Sequence, residues 1–82
     1  MPGKLRLLSA REVLRILHGY GFQVIGSRGS HCKLLRTGPG GSSRTLIIPL
    51  HRELRAGTLN RIYRRVKTFI PEAKLERHFF WE

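Results

Sequence analysis

Between Gly21 and Leu50 three apolar runs are separated by two turn-forming stretches, and this spacing constrains the fold more than any other feature. The runs are Phe22-Gln23-Val24-Ile25, His31-Cys32-Lys33-Leu34-Leu35-Arg36 and Arg44-Thr45-Leu46-Ile47-Ile48-Pro49. Each is short; the first and third hold β-branched or aromatic residues, the make-up of a strand, and the second lies between the two turn stretches. The turn at residues 27–30 and the glycine-rich loop at residues 37–43 supply the residues that reversals need. Connections this short join neighbouring strands antiparallel. In the first strand Phe22 and Val24 are expected to share one face. In the second, His31, Lys33 and Leu35 share one face and Cys32, Leu34 and Arg36 the other. Pro49 ends the pairing of the third.

Helical patterns flank this segment. Ser9-Ala10-Arg11-Glu12 fits a capping box. Val13, Ile16, Leu17 and Tyr20 then recur at helical spacing, with Arg11, Arg15 and His18 facing outward and Gly19 and Gly21 as the stop. A second helix opens at Gly57-Thr58-Leu59, buries Leu59, Ile62, Val66 and Phe69, and is broken by Pro71. Residues 1–8 read as a lead-in, and residues 71–77 as a further turn or short helix. The aromatic tail Phe79-Phe80-Trp81 is expected to fold back as a lid over the core, the alternative being a partner interface. The order is α-β-β-β-α, an α+β fold with a three-stranded antiparallel sheet packed on one face by two helices. One domain over residues 1–82 is expected, with a core at 9–70 and an appendix at 71–82. There is no internal repeat.

Charge decides the class of partner. Sixteen Lys+Arg stand against five Glu and no Asp, a net charge of +11. Twelve of the sixteen are arginine, which pairs bidentately with phosphate. Such an excess points to nucleic acid before an anionic membrane or an acidic protein. Between Arg55 and Lys67 there is no carboxylate, so Arg61, Arg64 and Arg65 are not there for pairing along the helix and are candidate phosphate contacts. No apolar run approaches the ~20 residues that span a bilayer. A cytoplasmic protein is expected, and the single Cys32 suits a reducing compartment.

The candidate chemistry centres on His31. It follows a flexible turn, and Arg28 and Lys33 flank it as candidate phosphate contacts. An exposed histidine at a strand end is also an ordinary surface residue. The four histidines, at 18, 31, 51 and 78, lack metal-ligand spacing, and carboxylates are too few for a paired-carboxylate mechanism. Neither a metal nor a cofactor is therefore called for. His31 and Cys32 point to opposite faces and form no dyad. What remains is histidine chemistry with cationic support, and RNA suits it because the 2′-OH is an internal nucleophile. The products would be a 2′,3′-cyclic phosphate and a 5′-OH.

Gly29-Ser30-His31 at a strand start, then Ile48-Pro49-Leu50-His51, then Glu53-Leu54-Arg55-Ala56-Gly57-Thr58-Leu59 opening a helix, resemble the HicA (YcfA-like) mRNA interferase toxins. The resemblance runs from about Ser9 to Phe69. It implies a fold similar to double-stranded-RNA-binding domains and a toxin of a type II toxin–antitoxin system. It further implies a metal-independent RNA endonuclease silenced by a HicB-like antitoxin. The family's catalytic histidine matches His31; the histidine after the Ile-Pro pair matches His51, and His51 and Ser30 are candidate catalytic support. Cys32, the glycine-rich loop and the tail depart from the family pattern. The alternative is a non-catalytic, basic RNA-binding module, ribosome-associated, that uses the same cations.

Overall fold

The structure, a computed structural model, describes residues 3–81. The elements are α1 (Ala10–Gly19), β1 (Gln23–Arg28), β2 (His31–Thr37), β3 (Ser43–Pro49), α2 (Ala56–Val66) and α3 (Glu72–Phe79), with one 3₁₀ turn at Pro39–Gly41. This is the expected α-β-β-β-α order, that of a double-stranded-RNA-binding-domain-like α+β fold, with α3 added in the appendix. Two compact units make up the chain: Ser9–Arg52, and Met1–Leu8 together with Glu53–Glu82.

In the unit Ser9–Arg52 the capping box forms as read. The Glu12 N–H donates to Ser9 Oγ at 3.1 Å, and the Ser9 N–H donates to Glu12 Oε1 at 3.0 Å. Val13 and Leu17 are buried, Ile16 and Tyr20 half-buried, and Arg11, Arg15 and His18 exposed. α1 ends in a Schellman motif. Gly21 takes φ 94°, its N–H donates to His18 O, and the Phe22 N–H reaches back to Leu17 O at 3.1 Å. That bond fixes Phe22 in the helix terminus, outside the strand expected to hold it. Phe22 is fully buried while Val24 is 57% exposed, so the two do not share a buried face as expected.

β1 runs on to Arg28, and the reversal expected over residues 27–30 shrinks to Gly29 and Ser30. The reason is backbone sign. Gly29 sits at φ 59° and Ser30 is not at positive φ, the pattern of a II′ turn, which closes a hairpin in two residues. Arg28, Ser27 and Gly26 therefore join the ladder opposite His31, Cys32 and Lys33, and the register shifts between Val24 and Gly26. β2 is the central strand, pairing antiparallel with both β1 and β3. Cys32, Leu34, Leu46 and Ile48 are buried on one face of the sheet. α1 lies against β3, and the Ala10 N–H donates to His51 O at 3.1 Å.

In the other unit α2 buries Leu59, Ile62 and Val66 as expected, together with Tyr63. The helix stops at Val66, before Phe69. Thr68 Oγ1 donates to Arg65 O at 2.7 Å and the Ile70 N–H to Val66 O at 3.0 Å, so the chain turns there and Ile70 is buried. Tyr63 donates its hydroxyl to Glu72 Oε2 at 2.8 Å. Burial pushes the Tyr63 phenol well above its ordinary pKa, and the Glu72 carboxylate adds to this. The ring stands edge-on to Phe80, centroids 5.0 Å apart at 82°. α3 buries Leu75 and Phe79.

The lead-in is tied to α3. Leu5 bridges Phe80, the Arg6 N–H donates to Phe79 O at 2.8 Å, and the Leu54 N–H donates to Leu8 O at 2.9 Å. The aromatic tail is not a lid throughout: Phe79 is buried, Phe80 half-buried and Trp81 57% exposed. Among the described residues no helix is long and apolar enough to cross a membrane.

Candidate active site

The β1–β2 hairpin builds the site. Side chains of β2 alternate, so Cys32 and Leu34 go inward while His31 and Lys33 stay exposed. The two-residue turn sets Arg28 directly across from His31. The next pair on that face is Gly26 with Lys33, and β3 adds Pro49 beside His31 and Ile47 beside Lys33. Adjacent strands lie about 4.8 Å apart and alternate residues of one strand about 6.7 Å apart, so Arg28 and Lys33 are both close neighbours of His31. Imidazole, guanidinium and ammonium thus rise from one small patch.

Gly26 contributes no side chain, and the face there is hollow. An open depression of about 480 Å³ is lined by Gly26, Ser27, Arg28, His31, Lys33 and Ile47. No carboxylate lines it. The unit Ser9–Arg52 carries Arg11, Arg15, Arg28, Lys33, Arg36, Arg44 and Arg52 against Glu12 alone. Glu12 is held in the capping box and Arg36 Nε donates to Tyr20 O at 2.8 Å, each at an end of α1. The hollow therefore sits in a one-signed field that draws in polyanions. An imidazole exchanges protons near neutral pH, and flanking Arg and Lys hold phosphate oxygens. The arrangement can bind a phosphodiester and move a proton beside it.

Of the residues read from the sequence, His31, Arg28 and Lys33 come together here. Ser30 is exposed in the turn, and its carbonyl accepts the Leu50 N–H at 2.6 Å, which ties the turn to the end of β3. His51 is exposed two residues beyond Pro49, the cross-strand partner of His31, and it does not line the hollow. Arg61, Arg64 and Arg65 belong to the other unit, where they are exposed on α2. Their i, i+3, i+4 spacing puts them on one side of the helix.

Gly26, Ser27 and Ile47 line the site and were missed. Gly26 and Ser27 were hidden because the first strand was expected to end at Ile25 and the turn to begin at Ser27, whereas β1 runs on to Arg28. Ile47 was hidden because Leu46-Ile47-Ile48 is apolar at every position, so alternation cannot reveal which residue faces out. Among the described residues no three of His, Cys, Asp and Glu gather in a way that could hold a metal ion.

The family model described as HicA toxin of bacterial toxin-antitoxin matches residues 10–67, which include α1, the sheet and α2. No curated protein and no solved structure matches the chain.

Proposed function

The chain belongs to the HicA toxin family of bacterial toxin–antitoxin systems, and we propose that it acts as an mRNA interferase, an endoribonuclease working through His31. Family membership implies a cognate antitoxin. The observation that carries the reading is the placement of His31 between Arg28 and Lys33 on the rim of one cationic hollow.

A phosphodiester enters with its anionic oxygens on Arg28 and Lys33. The 2′-OH of the preceding ribose attacks the phosphorus. His31 exchanges the proton, as base toward that 2′-OH or as acid toward the departing 5′-oxygen. His51 and Ser30 are the nearby candidates for the complementary step. Charge builds on the phosphorane oxygens, which the two cations stabilise. Proton transfer of this kind contributes about 10²–10⁴-fold, and preorganised cations add a further factor. Arg61, Arg64 and Arg65 hold the RNA backbone elsewhere. The antitoxin, read as an acidic, HicB-like protein, silences the toxin by covering the hollow, and charge steers its approach.

The test is the chemistry of the ends. Cleaved RNA should carry 2′,3′-cyclic phosphate and 5′-OH, and a 2′-O-methyl oligonucleotide should stay intact. Products with 3′-OH and 5′-phosphate ends would exclude the mechanism. Tight binding with no cleavage would make the chain a binding module.

A further inference from the structure

We infer that Trp81 is a stacking platform for an unpaired RNA base, a binding site that rests on the reading of the protein as RNA-directed. Tryptophan is among the residues that gain most from burial. Here the indole is 57% exposed, yet it is not loose. The Trp81 N–H donates to Lys4 O at 2.7 Å, and the adjacent Phe80 bridges Leu5. The ring is held out by a short antiparallel pairing of the two chain ends.

One face of the ring is already taken. The Arg6 guanidinium lies 4.5 Å from the ring centroid. Arg6 is itself fixed, since its N–H donates to Phe79 O and its Nη1 to His78 O at 3.3 Å. Arg6 Nε is buried with no hydrogen-bond partner. The guanidinium therefore keeps its place against the ring at the cost of an unsatisfied donor. The result is an aromatic ring backed by a fixed cation and more than half exposed. Bases stack on such planes whatever their sequence, and an arginine behind the ring strengthens the attraction.

The surroundings favour a nucleic acid over an apolar protein surface. Docking of an apolar protein face requires contiguous apolar area. The segments that hold the indole carry Lys4, Arg6 and Arg77 against Glu76, with Glu82 next in sequence, and the whole chain carries +11. A stacked base has its phosphates close by, and these cations are suited to meet them. The family match ends at residue 67, so the platform belongs to the appendix of this chain and not to the matched segment.

Trp81 is the sole tryptophan, so its fluorescence reports the site directly. The full-length protein is titrated with a 2′-O-methyl oligouridylate, which the proposed mechanism cannot cut, and with a duplex of equal length. The single strand should quench Trp81 and the duplex should not, because paired bases are not free to stack. Trp81→Ala should weaken single-strand binding about 5- to 100-fold, the range set by loss of one stacked base. Trp81→Phe should restore most of it, both variants should keep a cooperative melt, and neither change should alter duplex binding. Binding without quenching, or unchanged affinity in Trp81→Ala, overturns the platform. So does a Trp81→Ala variant that keeps its RNA affinity but no longer captures the antitoxin, because the indole then serves a protein partner. RNA that is cut without quenching overturns the platform and leaves the proposed activity standing. RNA that quenches Trp81 but is never cut does the reverse.

Discussion

Replacing Gly29 with alanine isolates the backbone conformation that sets Arg28 opposite His31. Gly29 adopts φ 59°, and a Cβ built there meets nothing within 4 Å. No clash contributes, so the whole effect is conformational. An L-residue held at such a φ costs about 1–2 kcal/mol. Alanine also narrows the unfolded ensemble, which returns about 0.4–1 kcal/mol at a site it can occupy. The net is about 1 kcal/mol of destabilisation, or about 4–8 °C in Tm for a chain of this size. Gly26 is the control. It pairs with Lys33 just after the register shift in β1, has no positive φ, and a Cβ there also meets nothing within 4 Å. Alanine at a strand interior is favoured over glycine by about 0.5–1 kcal/mol, so Gly26→Ala should raise Tm. Thermal melts followed by circular dichroism read both. Equal shifts of the same sign would show that the turn is not held by a left-handed Gly29.

The salt dependence of RNA binding should flatten when Arg61, Arg64 and Arg65 are changed together to alanine, each lost contact removing about 0.7 from the slope of log K against log salt on a single strand; an unchanged slope would take α2 out of the interface. His78 should make the fold acid-sensitive. Burial, then Arg77 and Arg6, hold its folded pKa below the ordinary value, so its contribution is full above the unfolded pKa and is lost as pH falls through the folded one. Tm should drop between neutral and mildly acidic pH, and His78→Gln should reduce that drop. Tyr63→Phe should cost about 1 kcal/mol, measured by urea unfolding, through loss of the hydrogen bond to Glu72.

What the sequence revealed depended on how locally each feature is determined. The capping box is a four-residue signal and formed as read. The inward stripes of α1 and α2 were legible because burial follows a fixed period. The face of His31 was legible because strands alternate. The turn was not, because its length depends on which glycine takes positive φ, and glycine's freedom hides that choice. Phe22 was misplaced because a helix terminus and a strand start compete for it, and the Schellman bond to Leu17 won. Tyr63 was overlooked because its partner Glu72 lies past the Pro71 break, and pairing across a break leaves no periodic trace. The tie between the lead-in and α3 joins opposite ends of the chain, which no local pattern records.

The central claim is that His31 performs the proton transfer, and His31→Ala tests it most directly when cleavage and binding are measured on the same RNA. His31 is exposed and its inward neighbour Cys32 is untouched, so the variant should fold with a stability within about 0.5 kcal/mol of the wild type. Arg28 and Lys33 remain, so RNA affinity should be nearly unchanged. Cleavage should fall by about 10²-fold or more. A His31→Ala protein that binds and cuts RNA at the wild-type rate would contradict the account.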